Sequence, residues 1–265
     1  MTKKLPFYVV TFNRIKGLKS ALEFTERSEI PLELIVFDMG STWPPFLELL
    51  KSLTNRVVHF PNGLGPRDLW MNGELERHGK GAFFLADGDI DYSQVSSDAF
   101  NKMLKLSQEY PWFPKVGLAL EVSDLPDDKE GLRIRKWAKY EWTVRWNSTT
   151  YLCGLDTTTA YYPRRERKFY YRPALRIAGN CTARHYPWYE RENSADPEFH
   201  YYRSVAKSAI STQQQAIFPS QTFMIKGTLR LLLMKILKGP LHVSLLGSIC
   251  VKILAWRGTL GESKG

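Results

Sequence analysis

Residues 6–38 read PFYVVTFNRIKGLKSALEFTERSEIPLELIVFD, and this stretch decides the fold. Its first seven residues are β-branched and aromatic, bounded by Pro6 and by polar Asn13-Arg14, which predicts a buried strand. Ile15, Leu18, Ala21 and Leu22 then recur at helical spacing until Pro31 stops the pattern. A second apolar run, LELIVFD, ends in Asp38 and the turn residues Gly40-Ser41. The rhythm continues outward. Residues 44–53, PPFLELLKSL, predict a helix with proline at its start. NRVVHF predicts a short third strand, RDLWMNGELERHGK a single helix and GAFFLADGDID a fourth strand. Strands alternating with helices imply an α/β fold with a mostly parallel sheet flanked by helices. Ligands bind such sheets beyond the carboxyl ends of the strands. Asn13, Asp38, Asp87 and Asp89 all fall at those ends.

The fourth strand runs into AFFLADGDIDY, with Asp87, Asp89 and Asp91 on alternate positions. Like charges so close repel unless a cation sits among them. A calcium loop of the EF-hand type needs glycine where this chain has Tyr92, and it needs helices on both sides. A phosphatase-type nucleophilic aspartate follows the first strand of its domain, and this one follows the fourth. The remaining choices are an Asp-rich surface turn and a divalent metal site gripping a diphosphate. Hard oxygen ligands beside a glycine that admits close backbone approach suit Mn²⁺ or Mg²⁺.

The whole chain has 265 residues and a formal net charge of +10. Such a charge points to an anionic partner: nucleic acid, membrane lipid or a phosphorylated small molecule. The basic residues cluster. Residues 129–176 hold twelve Lys/Arg against four Asp/Glu, and residues 222–265 hold seven against one. The basic and aromatic interleaving of RIRKWAKYEWTVRW would suit stacked bases, but three clustered aspartates would repel a nucleic acid. The three cysteines are scattered, which fits neither a disulfide framework nor a zinc motif and is expected of a reducing compartment. The N-terminal apolar run is too short for a signal peptide.

From residue 125 to 176 short aromatic strands are expected, after a helix over 97–110 capped by Ser97 or Asp98 and a strand at KVGLALEV. DPEFHYYRSVAKSAISTQ is expected to hold a late helix. Beyond it, GTLRLLLMKILKGPLHVSLLGSICVKILAWRG is apolar but interrupted by Lys235, Lys238, Gly239-Pro240 and Lys252. It is too broken to span a bilayer and parses as two basic amphipathic helices, which suits the surface of an anionic membrane. The expected organisation is therefore one domain over 1–220, with residues 1–95 and 96–220 as its halves, and a C-terminal amphipathic helical extension over 221–265.

FYVVTFNR, IVFDMGST, GLGPRDLWMNG and FFLADGDID, in this order, resemble the nucleotide-sugar-dependent glycosyltransferases of family 2 type, which have the GT-A (Rossmann-like) fold. The resemblance covers roughly residues 5–95. It implies that Thr11, Asn13, Arg14, Asp38 and Arg67 line the nucleotide-sugar site, with Asp38 touching the base. It implies that Asp87 and Asp89 are the family's D-x-D pair, which brackets metal and diphosphate. The implied activity is sugar transfer to a glycan or lipid-linked acceptor in cell-surface polysaccharide synthesis. The scattered cysteines and the basic amphipathic tail give the expected location, cytoplasmic and on the inner face of the membrane.

The second half departs from the family, since its usual Glu-Asp pair is missing. Asp156 is the candidate general base, because inverting transfer needs a carboxylate to take the acceptor proton. Glu121 and Asp124 are weaker candidates. His185 is a candidate third metal ligand, and Arg184 and Trp188 beside it suit acceptor or phosphate. Two other functions compete: a nucleotidyltransferase of similar fold, which would show more glycine after the first strand, and a non-catalytic nucleic-acid or lipid-binding protein.

Overall fold

Strand β1 (Leu5–Thr11) lies centrally, flanked by β2 (Leu32–Asp38) and β4 (Phe83–Asp87), both parallel to it. The computed structural model describes residues 3–61, 66–155, 158–163 and 172–206. The amphipathic extension lies outside the described residues. No described helix is long and apolar enough to cross a membrane.

Helix α1 (Ile15–Arg27) follows β1, α2 (Pro44–Ser52) follows β2, and β3 (Arg56–His59) pairs parallel to β2. The predicted helix over 67–80 is two short ones, α3 (Pro66–Met71) and α4 (Glu74–Arg77). Gly73 separates them at φ 72°, a left-handed conformation that no helix interior holds. After β4 come β5 (Ile90–Asp91), α5 (Ala99–Glu109) and β6 (Val116–Leu118). Asp98 stands at the N-cap of α5, but its carboxylate takes Ser96 Oγ and Lys102 rather than a backbone N–H.

The aromatic strands expected after residue 125 begin later than the sequence suggested. Residues Lys129–Ala138 form helix α6, followed by a 3-10 turn at Lys139–Trp142. The missed signal is a helix start: Asp128 accepts the Gly131 N–H at 2.7 Å and Glu130 sits in the first turn. Strands β7 (Thr150–Leu155), β8 (Thr159–Tyr162), β9 (Arg172–Ile177) and β10 (Arg184–His185) follow, then α7 (Pro197–Val205).

The main sheet has eight strands in the order β3-β2-β1-β4-β8-β6-β9-β7, so strands from both halves of the chain share it. The β4–β8, β8–β6 and β9–β7 pairs are antiparallel. Strands β1, β2 and β4 are buried on both faces, which is why they read as unbroken apolar runs. Phe7, Val9, Leu34, Val36 and Phe84 meet Leu18 and Phe24 of α1, Phe46 of α2 and Phe100 of α5. Tyr8, Val10, Ile35, Phe37, Phe83 and Leu85 meet Leu69, Trp70 and Leu75 of α3 and α4.

The connections from β1 step outward to β2 and β3, and β4 lies on the other side of β1. This is the reversal of strand order at which a crevice opens. Pairing registers set Thr11 opposite Asp38, Asp38 opposite His59, and Val10 opposite Asp87. The carboxyl ends of four strands thus form one row.

Candidate functional site

The D-x-D segment is a tight turn wedged between β1 and α1. The Asp87 N–H donates to Thr158 O at 3.2 Å and the Gly88 N–H to Val10 O at 2.6 Å. A Cβ on Gly88 would stand 2.5 Å from Thr11 Cβ and 2.6 Å from its Oγ1, and one on Gly17 would run into the Gly88 carbonyl. Only a residue without a side chain fits position 88. We expect Gly88→Ala to destabilise the fold by about 1–3 kcal/mol, the usual cost of overpacking, read as a lower denaturation midpoint.

Asp89 is held from the far side by a two-stranded ribbon that the sequence did not announce. Strands β5 and β10 pair antiparallel, His185 opposite Ile90, and the Tyr186 N–H donates to Asp89 O at 2.9 Å. This ribbon brings His185 Nε2 within 3.3 Å of Asp89 Oδ2. Two predicted metal-site residues distant in sequence therefore meet. Burial would raise the Asp89 carboxyl pKa, but His185, by charge and hydrogen bond, and Arg14 outweigh it and hold the carboxyl below its ordinary value. The His185 ring packs edge-on against Trp188, their centroids 5.3 Å apart. Asp91 points elsewhere: it accepts from the Ser93 N–H at 2.8 Å and fixes the turn.

At the end of β1, Asn13 is fully buried with φ 54°, in the left-handed region that Asn tolerates. Its Oδ1 accepts the Thr42 and Trp43 N–H groups at 2.9 and 2.8 Å, which ties the end of β1 to the entry of α2. Asp38 Oδ1 accepts the Ser41 N–H at 3.0 Å and Oδ2 meets His59 Nδ1 at 3.0 Å. Arg14 forms a two-pronged pair with Glu190 and stacks on Tyr202, 3.8 Å from its ring centre. Four polar atoms of this region are buried without a hydrogen-bond partner among the described residues: Thr11 Oγ1, Asn13 Nδ2, Arg14 Nε and Asp89 Oδ1. Three can donate and one is an acceptor, as a bound ligand with both kinds of group would require.

Arg184, the candidate acceptor contact, pairs with Asp124, which also accepts from Tyr189 OH at 2.6 Å. That commits Asp124, a weaker base candidate, to an ion pair. Glu121 Oε1 accepts the Val122 and Ser123 N–H groups and holds a turn. Asp156 and the side chain of Arg67 lie outside the described residues. Among the described residues no three His, Cys, Asp or Glu side chains are grouped to hold a metal ion unaided. Two aspartates fit a cation whose remaining ligands are substrate oxygens and water. The unpartnered Asp89 Oδ1 is a hard donor of the right kind.

Three residues of this region were not foreseen. Glu190 and Glu198 reach the β1 end from more than 170 positions away, and nothing local marks them. His59 was readable, since it is the polar residue at the end of strand β3, RVVH, as Asp38 is at the end of LELIVFD.

No protein-family model matches this chain, and no curated protein does. Among solved structures, TarS of S. aureus is similar with a TM-score of 0.45 at 13% identity, over 69% of this chain and 36% of that one. Glucosyl-3-phosphoglycerate synthase from Mycobacterium tuberculosis, crystallised with Mn²⁺, UDP and glucosyl-3-phosphoglycerate, is similar with a TM-score of 0.38 at 15% identity, over 61% of this chain and 57% of that one. CMP:2-keto-3-deoxy-manno-octonic acid synthetase complexed with CTP is similar with a TM-score of 0.37 at 10% identity, over 81% of this chain and 87% of that one. The chain thus spans just over a third of the first neighbour's length and just over half of the second's.

Proposed function

We propose that the chain is a metal-dependent glycosyltransferase that moves a sugar from a nucleoside-diphosphate sugar to a glycan or lipid-linked acceptor. The observation that carries this reading is the Asp87-Gly88-Asp89 turn at the strand-order reversal, with an unpartnered Asp89 Oδ1 and three unpartnered donors around it. Asp87 and Asp89 would hold Mn²⁺ or Mg²⁺, and His185, the third ligand proposed from the sequence, would reach the ion only by giving up its contact with Asp89. The metal would neutralise the departing diphosphate. Thr11 Oγ1, Asn13 Nδ2 and Arg14 Nε are donors suited to phosphate and ribose oxygens. Trp188, the proposed acceptor contact, is buried against Trp137 and His185 and would act there by fixing the His185 ring beside the sugar. Asp156 is the proposed base, and the basic extension the proposed contact with the inner membrane face, where the acceptor would be a cell-surface polysaccharide or its lipid-linked precursor.

The test is a thermal-shift screen of nucleoside diphosphates with and without Mn²⁺. Stabilisation by a nucleotide only when metal is present is the expected result, about 2.7 kcal/mol at a hundredfold excess over Kd. No stabilisation by any nucleotide would refute the reading.

A further inference from the structure

We propose that His59, aimed by Asp38, reads the nucleobase, and that it selects bases with a ring N–H (uracil, thymine, guanine) over those with a ring acceptor (cytosine, adenine). The inference rests on the nucleotide-sugar reading above and goes beyond it by naming the reader and the class of base.

Asp38 is the residue that the family resemblance assigns to the base, but its side chain is only 4% exposed. Oδ1 is taken by the Ser41 N–H and Oδ2 by the His59 imidazole. A base edge would have to displace one of these to reach it. His59 is placed differently. Its side chain is 60% exposed and it stands beside Asp38 on the same row of strand ends. The end of β3 is pinned there, because the Phe60 N–H donates to Asp38 O at 2.8 Å and the Phe60 ring packs on Phe37. The outermost polar group of this pair is thus the imidazole, not the carboxylate.

The chemistry of the pair fixes what that imidazole offers. An ionised carboxylate only accepts, so the proton shared with Asp38 Oδ2 belongs to His59 Nδ1. In the neutral ring Nε2 is then left with a lone pair and accepts. No hydrogen bond engages Nε2 among the described residues. Uracil and thymine present N3–H and guanine N1–H to such an acceptor. Cytosine N3 and adenine N1 present a second lone pair, which repels it. The carboxylate therefore acts through the histidine. It is a positioning residue, and the discriminating atom is Nε2.

The experiment is calorimetric titration of the full-length protein, with Mn²⁺, against two size-matched pairs: UDP with CDP, and GDP with ADP. The wild type should bind the N–H-bearing member of each pair more tightly, by about tenfold, the scale of one hydrogen bond gained against an unpaired group left buried. His59→Ala should reduce that ratio to near one by weakening UDP and GDP, while CDP and ADP change by less than about twofold. His59→Gln keeps an acceptor oxygen and should retain part of the ratio, which a loss of mere packing would not allow. A wild type that binds nucleotide without preference, or an unchanged ratio in His59→Ala, overturns this inference and leaves the glycosyltransferase reading standing. If no nucleotide binds the wild type, both fail together.

Discussion

On the proposed function, replacing Asp89 by asparagine is expected to remove metal-dependent nucleotide stabilisation and to lower the rate of sugar transfer on the order of a hundred- to a thousandfold, the scale of one lost preorganised electrostatic contact. Asparagine keeps the shape and removes the charge. The wild-type carboxyl is held ionised against the cost of burial by His185 and Arg14. That balance leaves the variant modestly less stable at neutral pH, because its neutral amide no longer pairs with His185 Nε2, while Arg14 keeps Glu190. The loss stays modest because the turn depends on backbone groups: Gly88 N–H on Val10 O, and Tyr186 N–H on Asp89 O. Two readouts therefore separate. The apo melting transition should stay cooperative and fall slightly, while the shift produced by nucleotide with Mn²⁺ disappears. Wild-type turnover in Asp89→Asn would exclude a metal-holding role for this residue.

The parts of the molecule legible in the sequence are those governed by short-range physics. Strands β1, β2 and β4 were readable because burial on both faces demands continuous apolar runs. Helix α1 was readable because apolar residues recur at helical spacing, and Leu18 and Ala21 of that pattern are buried, joined by Phe24. The aspartates were readable because clustered like charge needs a physical reason. Helix α6 was missed because Trp137, Tyr140 and Trp142 suggest strand by propensity, whereas the Asp128 cap and the buried Ile134 and Ala138 decide for helix. The ribbon of β5 and β10 was illegible, since two residues on each side carry no period. Yet that ribbon brings His185 to Asp89. Proximity of His185 to the D-x-D turn was expected only from family resemblance, and the pairing register supplies its cause.

The β1 end is closed by charges that no local pattern predicts, and Arg14→Met tests them. Arg14 is buried, doubly bonded to Glu190, 3.8 Å from Glu198, and stacked on Tyr202 of α7. Glu198 is itself 3% exposed and accepts the Ile15 and Lys16 N–H groups at 2.9 and 3.0 Å, so α7 caps α1. Burial already pushes the Glu198 carboxyl pKa up, and Arg14 is among the charges that restrain it. With methionine at position 14 two carboxylates lose their shared cation. We expect a loss of about 3–5 kcal/mol, the cost of stranding a buried charge, read from denaturation midpoints. Arg14→Met combined with Glu190→Gln should recover part of that loss, because the second change removes the stranded charge rather than restoring the pair. The non-additivity is the informative quantity: two residues 176 positions apart must couple if the ion pair joins α7 to the first strand-helix junction. Amide exchange should quicken together in α1 and α7 of the single variant, since Glu198 can no longer hold one against the other as firmly. Additive losses, or a single-variant loss below about 1 kcal/mol, would place Arg14 outside the load shared by these helices.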